Sequence, residues 1–145
     1  MAIVLASASP RRRELLEAAG ITCEVRPVDV DESRLADESG EAYVARVAAL
    51  KADTAAARWP GDVIIAADTT VLVGPQVLAK PESVADAAAM LRALSGRTHD
   101  VLTAVVIARP GGREAFVERT AVTFRALDLL EVDWYVQSGE PMDKA

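Results

Sequence analysis

Three consecutive arginines, Arg11, Arg12 and Arg13, follow Ser7, Ser9 and Pro10 where the chain pattern opens a helix. The amino terminus of a helix already carries partial positive charge, so it is the unfavourable end for cations. The arrangement makes sense if an anion lies among them. Free backbone N–H groups, arginine forks and short serine donors are the groups that hold phosphate oxygens. Ser7, Ser9, Arg11 and Arg12 are the candidates. Helical periodicity cannot turn all three arginines toward one ligand, which leaves Arg13 to solvent. The competing reading is a polar helix start with ordinary surface arginines. No GxGxxG follows the first apolar run, and there is no GxxxxGK[ST] loop. A phosphate device here would therefore be built from serine, proline and arginine.

Asp68 comes directly after the apolar run VIIAA at 63–67. A charge at the mouth of a buried strand is a common place for chemistry in α/β proteins. Asp68 could orient water as a base, hold a divalent cation, or cap a turn with Thr69 and Thr70. Lys51 and Lys80 are two of three lysines, the third being Lys144, against 13 arginines. Either could reach a phosphate; ordinary solvation is the alternative for each. Glu32 and Glu41 flank an acidic loop. With Asp68 they could offer oxygen ligands to magnesium, or simply face water. His99 is the only histidine, so a multi-histidine metal site cannot form in one chain, and it reads as structural. One cysteine, Cys23, excludes an intrachain disulfide and a Cys-rich zinc site. Met90, Phe124 and Trp134 read as core residues rather than base-stacking platforms.

The elements that must carry these groups follow from periodicity. Residues 2–6 form a short apolar strand. Ser9, Pro10 and Gly20 mark a helix over about 10–19, with Leu15, Leu16 and Ala19 as its apolar side. Residues 22–28 read as a less regular strand, and 29–40 as an acidic, turn-rich loop. Ser39 caps a helix over about 40–58, with Tyr43, Val47 and Leu50 recurring at helical spacing. Residues 63–67 are a central strand, extended by 69–73 beyond an irregularity. Gly74 and Pro75 turn the chain toward Val77 and Leu78. Ser83 with Asp86 opens a helix that ends near Ser95 and Gly96, its stripe formed by Ala87, Met90, Leu91 and Leu94. Residues 101–108 and 115–124 are strands joined by RPGGRE as a hairpin. Asp128 and Glu131 open a last helix, with Leu130, Trp134 and Tyr135 available for packing and Gly139 at its end. Strands and helices around a hairpin predict an α/β fold with a mixed sheet flanked by helices.

Composition bounds the function. The chain has 145 residues, 51% hydrophobic and 26% charged, which supports one domain with a real core. Sixteen basic against 22 acidic residues give a formal charge of -6, so nucleic acid is not the expected partner. No apolar run is long enough for a membrane span. The charges of MAIVLASASPRRR come after its apolar stretch, the wrong order for a signal peptide, and a cytoplasmic location is expected.

Taken together, the segments resemble the Maf family of nucleoside triphosphate pyrophosphatases, historically called septum formation inhibitors. The matches run in order: LASASPRRRELL at 5–16, EAYVARVAALKA at 41–52, AADTTVLVGPQVLAKP at 66–81, AAAMLRALSGRTHDVLTAV at 87–105 and VDWYVQSGEPMDKA at 132–145. The resemblance implies a mixed twisted sheet in a Maf/ITPase-like fold, with a cleft between two lobes. It implies hydrolysis between the α and β phosphates of a nucleoside triphosphate, with Mg2+ or Mn2+, and a homodimer. By motif match, Ser7, Arg11 and Arg12 are phosphate-cradle residues, and Lys51 and Lys80 are further triphosphate contacts. Asp68 is the water-activating or metal-associated carboxylate, with Glu32 and Glu41 as weaker metal matches. SPRR combined with ADT resembles the subgroup acting on dTTP, UTP and modified pyrimidine nucleotides, and Arg12 and Thr69 are the positions connected with that choice. Family members continue past the DKA at 143–145 into a GAYxIQG-like stretch, so a single Maf-like domain lacking its usual C-terminal portion is expected over 1–145. The same cradle would also suit a nucleotide-binding module without turnover, or a division-related regulatory protein.

Overall fold

The computed structural model describes residues 1–78 and 80–139. The DKA match at 143–145 and Lys144 lie outside them. In chain order the elements are β1 (Ile3–Leu5), α1 (Pro10–Ala18), β2 (Glu24–Val25), α2 (Gly40–Arg58), β3 (Val63–Val73), β4 (Gln76–Leu78), α3 (Val84–Leu94), β5 (Thr98–Arg109), β6 (Gly112–Thr123) and α4 (Leu129–Gln137). The strands form one sheet in the order β2-β1-β3-β5-β6, with β4 paired to β3. β1 runs parallel to both β2 and β3, whereas β3 and β4 are antiparallel, so the expected mixed sheet is present. No helix among the described residues is long and apolar enough to cross a membrane.

Chain contacts divide the molecule into two compact units, through both of which β3, β5 and β6 pass. The first comprises Met1–Asp68 with Thr103–Glu118, the second Thr69–Leu102 with the chain from Arg119 onward.

In the first unit, β1 pairs with β3 in the register Val4 to Ile64, extended by the Ala6 amide donating to the Ile65 carbonyl at 2.9 Å. α2 starts at Ser39, whose hydroxyl accepts from the Ala42 amide at 3.1 Å and satisfies one orphan N–H. Its buried stripe is Val44, Val47, Ala48, Ala52 and Ala55. This differs from the expected Tyr43–Val47–Leu50 stripe. The repeated alanines form the inner face, which turns Tyr43 to a half-buried flank and leaves Leu50 exposed. α1 also departs from expectation: none of its residues is buried, and Leu15 is 70% exposed. Ser9 occupies its N-cap position without a side-chain bond. The helix ends as expected, with Gly20 at φ +79 and the Ile21 amide donating to the Leu16 carbonyl; glycine tolerates this left-handed conformation without a Cβ penalty. The second strand shrinks to Glu24–Val25, which leaves Cys23 half-buried just outside it.

β3 is continuous from Val63 to Val73, with no irregularity. Asp68 therefore lies in mid-strand rather than at a strand's mouth, and the turn-capping reading of Asp68 falls. The β-branched run Thr69-Thr70-Val71 keeps the backbone extended past it.

In the second unit, Val71, Val73, Leu78 and Leu94 form one buried cluster, and Ala87, Leu91, Val132 and Val136 another. α3 is capped by Ser83, which accepts from the Asp86 amide, and α4 by Asp128, which accepts from the Glu131 amide. Phe124 packs against both clusters and Met90 against the first, as core residues should. Trp134 does not: it is 74% exposed, and Leu130 is 80% exposed. The phase of α4 explains both. Val132 and Val136 face α3, and residues two positions away are turned about 200° from them at 100° per residue. His99 is buried, its ring edge-on to Phe124 at a centroid distance of 5.0 Å, consistent with a structural role.

Candidate active site

Two backbone features of the first unit bring charges together. β1 delivers Ser7 at its carboxyl end, and β3 delivers the Ala67 carbonyl and the Asp68 side chain beside it. α1 then returns Arg12 over this edge. The Arg12 Nη1 donates to the Ser7 hydroxyl oxygen at 3.0 Å and to the Ala67 carbonyl at 3.1 Å. The Ser7 oxygen also accepts from the Ser9 amide at 3.1 Å. A hydroxyl that already accepts twice keeps its own hydrogen for a third group. Ser7 is buried, so such a donor is pre-positioned rather than solvated.

Lys51 enters from α2. Its Nζ lies 3.4 Å from Asp68 Oδ1, 3.0 Å from Glu32 Oε1 and 3.3 Å from the Ala67 carbonyl. The Lys51 and Asp68 side chains are 13% and 12% exposed, whereas Glu32 is 53% exposed. Burial pushes the Asp68 carboxyl pKa up, and the Lys51 ammonium works against that shift while Glu32 adds to it. Burial likewise lowers the Arg12 guanidinium pKa, opposed by Asp68. A carboxylate with a raised pKa is a stronger proton acceptor, and arginine stays charged throughout the accessible range.

The structure thus gathers Ser7, Arg12, Glu32, Lys51 and Asp68 into one cluster. Arg11 is exposed on α1, close enough for its charge to lower the Arg12 pKa. Arg13 points away, paired with Glu17 at 2.9 Å in an i,i+4 bridge on the exposed side, as periodicity predicted. Glu41 is exposed in the first turn of α2. Among the described residues no three carboxylate, histidine or cysteine side chains form a metal-holding group, so the expected trio of Glu32, Glu41 and Asp68 does not assemble. Two of them do converge, on the Lys51 ammonium. Thr69, half-buried on β3, and Lys80, exposed after β4, belong to the second unit.

Sequence reasoning missed two contributors. One is the Ala67 carbonyl, a main-chain atom with no signature in residue type. The other is Tyr43, read as core, whose hydroxyl donates to the Glu32 carbonyl at 2.6 Å. Its position four residues after the Ser39 cap, just beyond an acidic loop, was the available signal. The second unit has an apolar groove of about 600 Å³ among Leu91, Phe124, Leu127, Leu130 and Trp134. Its charged groups, Arg125 and Glu131, pair with each other.

A family model described as Maf-like protein matches residues 2–145. The dTTP/UTP pyrophosphatase of Myxococcus xanthus is 54% identical over 145 residues, covering 99% of this chain and 72% of that protein. The dTTP/UTP pyrophosphatase of Anaeromyxobacter dehalogenans strain 2CP-1 is 50% identical over 147 residues, covering 99% of this chain and 74% of its own length. The Ham1 protein of Staphylococcus aureus shares the fold at a TM-score of 0.58 with 18% identity, over 82% of this chain and 69% of that one.

Proposed function

We propose that this chain, which belongs to the Maf family, hydrolyses dTTP and UTP at the α–β phosphate bond to give the nucleoside monophosphate and pyrophosphate. The observation that carries the proposal is the buried Asp68 carboxylate held against Lys51 beside Arg12, in a chain half identical over nearly its whole length to proteins bearing that activity in their names. Ser7, Arg11 and Arg12 supply donors and positive charge for phosphate oxygens, and Lys51 adds a further cation. Asp68 takes the proton from the attacking water. Preorganised donors around developing phosphate charge contribute to catalysis without reorganisation at the moment of reaction.

Magnesium or manganese belongs to the same proposal. Glu32 and Asp68 present hard carboxylate oxygens around one cation, Lys51 Nζ, and such a pair with substrate phosphates suits magnesium. When bound, the ion supplies further positive charge to the triphosphate. Glu32 and Asp68 would hold it, and Glu41 would not. A cytoplasmic location belongs to the same proposal. A homodimer is part of the same reading and is checked by solution mass.

The test is direct. Incubation with dTTP, UTP and magnesium should release pyrophosphate and the monophosphate. Orthophosphate with a nucleoside diphosphate would overturn the bond assignment, and binding without turnover would favour a nucleotide-binding module instead. Lys80→Ala should weaken triphosphate binding, and Thr69→Ala should alter the preference among bases; wild-type behaviour removes each from its assigned role.

A further inference from the structure

Glu32 reaches Lys51 from a segment without regular structure. Between β2 and α2 the chain has no helix or strand, only a turn near Ala36 and Asp37, and Asp37 takes a left-handed φ of 60. Glu32 itself is half exposed. An exposed carboxylate on such a loop gains little from one ion pair, because the entropy of holding loop and side chain offsets most of the attraction. Something else must fix the loop for Glu32 to stay on the ammonium.

Two residues of α2, three positions apart, do so. The Tyr43 hydroxyl donates to the main-chain carbonyl of Glu32 itself at 2.6 Å. Arg46 holds the Glu38 carboxylate with both arms of its fork, Nε to Oε2 at 2.7 Å and Nη2 to Oε1 at 3.0 Å. The same Nη2 donates to the Ser33 carbonyl at 2.8 Å. The guanidinium also lies over the Tyr43 ring, 5.8 Å from its centroid. Three and four residues apart on a helix means one face, so both side chains meet the loop together. The loop is thereby tied at Glu32, at Ser33 and at Glu38, and Lys51, two turns further along α2, receives the Glu32 carboxylate.

We propose that Tyr43 and Arg46 are positioning residues for the reaction: they clamp the 32–38 loop to α2 so that the Glu32 carboxylate is presented to Lys51 and Asp68. This rests on the role given to Glu32 above. Neither residue touches the phosphates in this proposal; both act through Glu32.

Tyr43→Phe keeps the ring and removes only the bond to the Glu32 carbonyl. One neutral hydrogen bond to main chain corresponds to a loss of about three- to tenfold in kcat/KM. Arg46→Ala removes three bonds and should cost more, while Arg46→Lys, which cannot form the fork, should restore only part of it. The decisive measurement is coupling. If Tyr43 acts through Glu32, Tyr43→Phe should cost nothing further in a Glu32→Gln background, whereas a general structural effect would multiply with it. Amide hydrogen exchange supplies a readout independent of activity: residues 31–38 should exchange faster in Tyr43→Phe and Arg46→Ala, with α2 unchanged. Full multiplication of the two losses, or unchanged exchange in the loop, overturns the clamp. Wild-type turnover in Glu32→Gln overturns the role of Glu32 and the clamp's relevance with it. A loss in Glu32→Gln with none in either clamp variant overturns the clamp alone.

Discussion

Lys51 and Asp68 are each other's charge partner at 3.4 Å, and both side chains are nearly nine-tenths buried. Neither tolerates the loss of the other easily. A buried charge without its partner keeps the cost of leaving water and loses the attraction that offset it.

Lys51→Met should therefore destabilise the protein as well as disable it. Glu32 and Asp68 would face each other without the intervening cation. We expect a loss of about 1–3 kcal/mol in unfolding free energy, read from urea midpoints at neutral pH. Turnover should fall with it. A variant of wild-type stability would show that solvent, not Lys51, compensates Asp68.

Asp68→Asn separates chemistry from folding. The amide has the shape of the carboxylate and can still accept from Lys51, but it cannot take a proton. A turnover loss of about 10²–10⁴-fold is expected if Asp68 is the general base. Nucleotide affinity, measured by calorimetry, should change far less. Equal turnover in the variant and the parent removes Asp68 from the proposed chemistry.

The first turn of α1 offers a matched pair. Arg12→Ala deletes the bonds to Ser7 and to the Ala67 carbonyl along with one charge of the cradle. Triphosphate binding should weaken by about 1.5–3 kcal/mol, the range for hydrogen bonds to charged groups. Arg13→Ala deletes only an exposed i,i+4 pair with Glu17. Its effect on both binding and stability should stay within about 0.5 kcal/mol. Comparable losses in the two variants would mean that bulk positive charge, not geometry, attracts the substrate.

His99 sets a pH dependence in the second unit. Burial lowers its pKa below the ordinary value of 6.5, with Asp100 opposing, and its Nδ1 has no hydrogen-bond partner among the described residues. Below 6.5 the unfolded chain takes up a proton that the folded protein resists, so the unfolded state binds more protons. Stability from this group is complete above the unfolded value and is lost as pH falls toward the lowered folded one. His99→Phe should flatten the decline in urea midpoint as pH falls below 6.5. An unchanged slope would assign the decline to carboxylates.

The sequence carried the elements well where local chemistry decides them. Ser39, Ser83 and Asp128 mark three helix starts by accepting amides three residues on, and each does so in the structure. Ser7, Arg12, Lys51 and Asp68 were legible through the ordered motifs and converge. Rotational phase was not legible. On α4 the choice between the Val132–Val136 face and the Leu130–Trp134 face depends on packing against α3, since both pairs are apolar at i,i+4. The length of β3 was missed because a carboxylate after VIIAA reads as an end. Its two neighbouring cations make a mid-strand charge tolerable, and they come from residues 56 and 17 positions earlier in the chain. Tyr43 was missed because a tyrosine on an amphipathic helix looks the same whether its hydroxyl meets water or a carbonyl.

The Ala67 carbonyl accepts from Arg12 at 3.1 Å and from Lys51 at 3.3 Å. One main-chain oxygen is thus the common anchor of two cations that arrive on different helices. Side-chain substitution cannot delete it. A systematic alanine scan would score Arg12 and Lys51 as separate contributors and pass over the atom they share, because position 67 is alanine already. Only a change to the main chain would expose it, such as an ester in place of the 67–68 amide, which weakens the carbonyl as an acceptor, or a one-residue insertion upstream in β3, which displaces it. Part of this site is therefore inherited through strand geometry and not through residue identity. Position 67 could drift to any side chain small enough for its enclosed place, and the anchor would persist unseen in the sequence.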